Sequence, residues 1–340
     1  MFFFSKNKRT VNIVIEDYAI RIAENKNGDL KSIKLLEERP IPTGMIEHGK
    51  IIDEMAFFDW MKELIRELGL RHRRVRFYVP NSLVIMRHVE FPARLEGEDL
   101  RDYFYDQIGK TIHLPFQDAL FDVYVPEQIK AASDTEAETE QKNKGILFAA
   151  PEEEVNKFIN LFSDVSLQPE AVDIQSLGVY RYYYHLHERK QNAVSLFFEL
   201  NLTSHHLSIF HKHTPEFIRH QELDINPGHW KAEQTENESI QWTFKKDKEE
   251  LLGVIEDQIT ELDRIMDFYR YSLYKGEKNI DEIIVYGDYP RIEQVANRVK
   301  EQYDIPVKLL TGDLSEHDMV DIRYIPVLGL ALKGGSHDAT

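Results

Sequence analysis

One pattern occurs twice in this chain, and it constrains the fold more than anything else: three short β-type runs in succession, then helix and strand. In the first half the runs lie in VNIVIEDYAIRIAEN, two β-rich pieces around an acidic turn, and in LKSIKLLEERPIP, which Pro40 and Pro42 end. In the second half they are AVSLFFELNL, HHLSIFHK and PEFIRHQEL. The halves share no visible identity, so what repeats is architecture. Three consecutive strands predict an antiparallel meander, and the helices between later strands predict an α/β layering.

Between these meanders, TGMIEHGKII reads as a turn segment with Gly44 and Gly49. Asp53 caps a helix through Leu68, with Phe57, Met61, Leu64, Ile65 and Leu68 at helical spacing and Gly69 at its end. RRVRFYVP, VIMRHVEFP, LFDVYVP and KGILFAAP read as strands, and Glu96 to Gly109 and PEEEVNKFINLF as helices. AASDTEAETEQKNK is polar and aromatic-free, a mobile acidic loop. HWKAEQTENESIQWTFKKDK reads as a polar excursion. The longest helix is EELLGVIEDQITELDRIMDFYRYSL, striped by Leu251, Ile255, Ile259, Leu262, Met266, Tyr269 and Leu273. DEIIVYGD is a buried strand, PRIEQVANRVKEQY a helix, IPVKLL a strand and IPVLGLALKGG an apolar helix with a glycine stop.

Charge and composition remove whole classes of function. Lys and Arg total 42 against 59 Asp and Glu, a net charge of -17 over 340 residues. Such a surface repels phosphate backbones, so nucleic acid is not an expected partner. The chain has no cysteine, which excludes disulfides, thiolate catalysis and Cys-ligated metal. No apolar run reaches the roughly 18–20 residues of a membrane span. MFFFSKNKRT places apolar residues before charge, the reverse of a signal peptide, so a cytoplasmic protein is expected, its Phe-rich tip tucked into the first sheet. Phosphate-binding glycine loops, G-x-S-x-G and H-E-x-x-H are all absent. His205, His211 and His213 would share a strand face, but no carboxylate stands at ligand spacing, and a solvated edge face is the expectation there. YRYYYH reads as a helix packed on the core.

Two halves of this kind are the organisation of actin-like ATPases, and several segments resemble one family in particular. IPTGMIEHGKIID resembles the P-x-G-x-I-x-x-G-x-I segment of PilM-type pilus-assembly proteins. IHLPFQDALFDVYV resembles another family segment through Leu114, Pro115, Phe116, Ala119 and Asp122. VSLQPEAVDIQSLGVYR does so through Pro169, Asp173, Leu177 and Arg181, and LDRIMDFYRYS through Arg264, Asp267, Phe268 and Tyr269. IPVLGLAL resembles the closing helix. The matches run in order over nearly the whole chain.

The resemblance implies a fold shared with the division protein FtsA: two actin-like (ribonuclease H-like) lobes around a cleft, with an inserted small α+β (SHS2-like) subdomain. On this basis residues 1–82 begin the first lobe and 83–167 form the insert, with a mobile acidic loop over 131–144. Residues 168–192 make a helical return and connection, 193–323 the second lobe, and 324–340 the closing helix and tail. The family implies a position at the inner face of the cell membrane, bound to the short cytoplasmic segment of a PilN-like bitopic membrane protein. A pilus assembly ATPase and a homo-oligomer are further possible partners. The partner groove would include Val84, Met86, His88, Leu114, Pro115 and Phe116.

The chain departs from actin-like nucleotide motifs at each site. The first hairpin of such proteins reads D-x-G-S-x-x-x-K. Here VIEDYAIR puts Val14 for the Asp, Glu16 for the Gly, Asp17 for the Ser and Arg21 for the Lys, with Tyr18 between. Two carboxylates would then point where phosphate oxygens lie, at about 1 kcal/mol per like-charge pair in water and about 4 at an effective dielectric of 20. The second hairpin, ELNLTSH, keeps a charge at Glu199 but has Asn201 for Gly and His205 for Thr. The adenosine loop, VYGDYP, retains Gly287 alone, and Asp288 and Tyr289 would crowd a nucleoside. The expectation is a pseudo-ATPase scaffold with no cofactor, ATP and magnesium being disfavoured. Its competitors are an ATPase with an atypical site, a cation held by Glu16, Asp17 and Glu199, and an FtsA-like filament former. The tail KGGSHDAT carries no amphipathic membrane helix, which counts against the last.

Overall fold

The computed structural model describes residues 9–26, 28–126, 142–186, 192–235, 239–315 and 318–335. The chain forms two compact units: Leu83–Asn160 is one, and Met1–Ser82 with Leu161–Thr340 is the other. The elements that the hydrophobic pattern predicts appear in their predicted order, with further short strands among them. First come β1 (Thr10–Ile15), β2 (Ala19–Asn25) and β3 (Leu35–Pro40), a small hairpin of β4 (Ile46–Glu47) and β5 (Lys50–Ile51), helix α1 (Glu54–Glu67) and β6 (Arg74–Val79). Then follow β7 (Ile85–Pro92), α2 (Gly97–Gln107), β8 (Ala119–Tyr124), β9 (Lys142–Pro151), α3 (Glu152–Asp164), β10 (Gln168–Ile174) and α4 (Gln175–Leu186). The second half holds β11 (Val194–Leu200), β12 (Ser204–His211), β13 (Thr214–Glu222), β14 (Trp230–Gln234), β15 (Ile240–Phe244) and α5 (Lys248–Asp267). It closes with β16 (Glu282–Tyr286), α6 (Ile292–Gln302), β17 (Val307–Leu309), β18 (Gly312–Ser315), β19 (Asp318–Val320) and α7 (Ile325–Ala331).

The larger unit is built on two five-stranded sheets of the same design. One runs β10-β6-β1-β2-β3 and the other β17-β16-β11-β12-β13. In each, the opening three strands pair antiparallel and the later two join parallel. The repeated strand pattern of the sequence is thus a repeated topology, giving two lobes. Asp53 caps α1 as its position predicts, its carboxylate accepting the Ala56 N–H at 2.9 Å.

Helix α7 explains its own composition. All seven of its residues are buried. Val327 and Leu330 pack with Val14, Ala23 and Tyr78 of the first sheet. Ile325, Leu328 and Ala331 pack with Phe197, Phe210, Ile284 and Tyr286 of the second, alongside Val179 and Tyr182 of α4. A helix that is apolar all round belongs in a core. Glycines set its approach to α4: a Cβ on Gly329 would lie 2.2 Å from the Gly178 carbonyl oxygen. Arg181 of α4 is buried there as well, donating to the Gly329 carbonyl at 3.0 Å and to Asp173 at 3.1 Å.

The smaller unit is a three-stranded antiparallel sheet, β7-β9-β8. Val89, Phe91, Leu147 and Ala149 of its sheet pack with Leu100 and Phe104 of α2. The boundary falls at Asn160, inside α3, rather than at Leu167. Most of the acidic loop lies outside the described residues, but its last three positions, Lys142, Asn143 and Lys144, open β9.

Three further expectations are corrected. The supposed polar excursion contains the hairpin β14–β15, because Trp230, Ile240 and Trp242 are buried there. The Trp230 indole N–H donates to the Leu202 carbonyl at 2.9 Å, a contact invisible to a polarity reading. The longest helix stops as an α-helix at Asp267 and continues as a wider π-helical turn, Phe268–Leu273. That turn buries Tyr269, whose hydroxyl donates to Glu216. Finally, residues 168–192 begin with a strand, β10, before their helix.

The α4–α7 crossing gives a test. Gly329→Ala should cost about 1–3 kcal/mol in urea unfolding, since its contact is backbone that cannot move aside. Gly253→Ala, on α5 with nothing within 4 Å, should instead stabilise by roughly 0.5–1 kcal/mol. Equal effects at the two sites would remove the close-approach argument.

Candidate functional site

The facing hairpin turns of the two lobes define the site. In the β1–β2 turn the Glu16 N–H bonds the Ala19 carbonyl at 2.8 Å, which leaves Glu16, Asp17 and Tyr18 to project. Asp17 is turned to the backbone. Its carboxylate accepts the His48 N–H at 2.6 Å and the Gly49 N–H at 2.8 Å, anchoring the β4–β5 turn. Burial raises its carboxyl and those two amides oppose the rise. Gly49 has φ +74°, and a Cβ there would sit 2.4 Å from Ser82 Oγ and 2.6 Å from Pro80, so the turn admits only glycine.

Tyr18 and Arg21 reach across to the second lobe. The Tyr18 hydroxyl donates to Asp288 at 2.6 Å, and the Arg21 guanidinium donates to the same carboxylate. Arg21 also holds Glu38, its cross-strand neighbour on β3, at 2.9 Å. Glu38 in turn accepts from Arg323 at 2.7 Å. The Asp288 carboxylate takes the Leu202 N–H at 3.2 Å, and its own N–H donates to the Asn201 side chain at 3.1 Å. Asn201 donates to Glu199 at 3.2 Å, and Glu199 also accepts from Gln175 of the first lobe at 2.7 Å and from the Tyr286 hydroxyl at 3.3 Å. Arg21, Glu38, Glu199 and Asp288 are all buried. Arg21 is held charged against burial by Asp288 and Glu38.

The cavity lined by Val14, Glu16, Tyr78, Gln175, Thr203 and Ser204 measures about 20 Å³, room for about one water. A larger pocket of about 410 Å³ lies beyond Gly287, against Arg291, Thr311, Asp321 and Arg323. Asp288 and Tyr289 both line it, the Asp288 carboxylate accepting from Arg21 and Tyr289 packed into the second-lobe core. Gly287 has φ +134° and passes so close to β11 that a Cβ would lie 2.1 Å from the Leu200 carbonyl oxygen.

The histidines are not an edge face. β12 lies between β11 and β13, and His205 is wholly buried against Phe198. Burial first, then His220 and Arg219, push the His205 imidazole down to about 4, so it is neutral. His211 meets Glu216 and Lys278, while His213 meets the Tyr180 hydroxyl, so the three do not converge. Among the described residues no group of three or more His, Cys, Asp or Glu side chains is placed to hold a metal ion. Asp17 faces the β4–β5 turn amides, away from a joint site with Glu199.

On the smaller unit, Val84 precedes β7, while Met86 and His88 lie on it. Among the described residues β7 is an edge strand of its sheet, paired with β9. Met86 is half-buried and His88 exposed. Leu114 and Phe116 pack against that unit's core, and Pro115 between them is exposed. Glu38, Gln175, Tyr286 and Arg323 escaped the sequence reading. Only the Arg21–Glu38 pairing had a local signal, the opposite charges of two adjacent strands.

Paired sheets of one topology around a hairpin-lined cleft, with an α+β insertion, define an actin-like protein. The family model described as type IV pilus assembly protein PilM matches residues 13–314, and the chain belongs to that family. No curated protein matches it in sequence. The solved PilM-PilN type IV pilus biogenesis complex is similar at 18% identity, over 96% of this chain and 98% of that one, with a TM-score of 0.72. The ethanolamine utilization protein EutJ from Carboxydothermus hydrogenoformans is similar at 8% identity, over 95% and 89%, with a TM-score of 0.50. At these identities the likenesses speak for fold alone. Among the described residues no helix is long and apolar enough to cross a membrane.

Arg21 is the residue on which the site turns. Arg21→Met should cost about 3–5 kcal/mol in urea unfolding, because two buried carboxylates lose their cation. Asp288→Asn should recover part of that loss in the double variant, with a coupling of roughly 0.5–3 kcal/mol. Strict additivity would remove the pair from the account.

Proposed function

We propose that this chain is a non-catalytic scaffold of a type IV pilus or related competence or secretion machine. One observation carries the reading. The positions that would grip a triphosphate are taken up by the protein's own contacts: Arg21 is committed to Asp288 and Glu38, and Asp17 to two backbone amides. Val14, buried in the first-lobe core, offers a magnesium ion no oxygen. A ligand entering there would have to break buried charge pairs.

Family membership supports a role in pilus assembly. The PilM-PilN complex supports a PilN-like membrane protein as partner, which would hold this chain at the inner face of the membrane. The β7 edge and the segment around Pro115 are the proposed dock for an extended peptide, since an edge strand offers unpaired backbone groups and alternate side-chain pockets. A second reading, nucleoside binding without phosphate grip, draws on the 410 Å³ pocket beside Gly287, which is of ligand size.

Calorimetry separates these readings. Magnesium-ATP should show no binding tighter than about 10 μM, or −6.8 kcal/mol, and tighter binding would favour the enzyme. Adenosine alone tests the second reading. For the dock, a peptide of the cytoplasmic segment of a PilN-like protein encoded beside this one should bind. Met86→Asp with Pro115→Asp should weaken it by about tenfold or more, roughly 1.4 kcal/mol. Unchanged affinity would place the dock elsewhere.

A further inference from the structure

The seam between the lobes carries more acid than base. Four carboxyls, Glu16, Glu38, Glu199 and Asp288, stand against two guanidiniums, Arg21 and Arg323. Both guanidiniums contact Glu38, and Asp288 takes the remaining reach of Arg21. That leaves Glu16 and Glu199 without a dedicated cation. The three donors on Glu199, from Gln175, Asn201 and Tyr286, are neutral. The geometry points to a proton-gated latch: the closed seam holds a proton on the Glu16–Glu199 pair, and loss of that proton as pH rises loosens one lobe from the other.

The latch has identifiable parts. Its cross-lobe links include Tyr18 to Asp288, Arg21 to Asp288 and Gln175 to Glu199, and beside the last Ser176 meets His206, which burial keeps neutral. Glu199 faces Gln175 of α4, Asn201 of the β11–β12 turn, Tyr78 of β6, Tyr286 of β16 and Asp288 beyond it. Glu16 lines one small cavity together with Gln175, the donor to Glu199, and feels the charges of Glu199, Asp288, Arg21 and Asp17. A second negative charge in this enclosure meets Asp288 as well as its partner, with only Arg21 opposing. Burial, helped by Asp288, raises the Glu199 carboxyl to about 7, and burial with Glu199 and Asp288 raises Glu16 well above the ordinary carboxylate range. Lobes that part would return both groups to water and to ordinary values. The closed form therefore binds the proton more tightly than the open one, so acid favours closure and alkali favours opening. For one proton the ratio changes at most about tenfold per pH unit.

The absence of native cysteine makes the test direct. Asp59→Cys on α1 and Glu301→Cys on α6 place one exposed spin label on each lobe of the full chain. Pulsed electron resonance should give one short distance at pH 5.5 and an added longer population at pH 8.5. With Glu16→Gln and Glu199→Gln the short distance should persist at both. Hydrogen exchange over residues 199–204 and 286–290, corrected for intrinsic pH dependence, should accelerate in the unlabelled chain over the same range. It reads the latch without any substitution at the acids. Identical distances and corrected exchange at both pH values would overturn the proposal, and so would opening of the Gln variant to the parent's extent.

Discussion

One buried guanidinium organises this protein. Arg21 sits on a central strand of the first lobe, yet half of its reach is to Asp288, 267 residues away on the second. Removing it from water is tolerable only because two carboxylates meet it, and those carboxylates are tolerable only because of it. Tyr18 on the same hairpin and Arg323 before the closing helix complete their coordination. The charge thus ties three stretches of chain that polarity alone would keep apart. In an actin-like fold a bound nucleotide can bridge the two lobes. Here side chains bridge them.

Around that seam the two lobes share one apolar wedge. Helix α7 contributes to cores under both sheets, and Gly329 lets it press on α4 at backbone distance. The wedge and the charge seam restrict different motions. Apolar burial is insensitive to hinge polarity and pH, whereas the seam depends on ionisation. A structure held by both can keep its folded core while the cleft side responds to conditions.

The architecture was legible because it was written twice and locally. Two meanders, the Asp53 cap and the all-apolar α7 each carry their signal within about a dozen residues. The site was half legible. Val14, Glu16, Arg21 and Asp288 were identifiable as departures from a nucleotide motif, but the use made of them was not, since Asp288 answers Arg21 across most of the chain. Asp17 shows the difficulty best. A carboxylate in a hairpin turn reads as solvated or as a ligand, and nothing nearby in sequence says that the His48 and Gly49 amides will cover it. The β14–β15 hairpin was missed for a similar reason: two tryptophans in a polar stretch find their burial against Leu202 and Tyr18, far away in sequence.

Gly287 carries the last step of the argument, because it is the one residue of the adenosine loop that this chain keeps. Read as a motif, it would count toward nucleotide binding. Its geometry gives another reason for its presence. At φ +134°, with the Leu200 carbonyl where a Cβ would be, no other residue allows β16 to turn beside β11 and present Asp288 to Arg21. The same glycine that can bring backbone close to a phosphate-bearing ligand brings it close to a neighbouring strand. The presence of this glycine is therefore compatible with a charge pattern unlike a nucleotide motif, since here it serves the path of the chain.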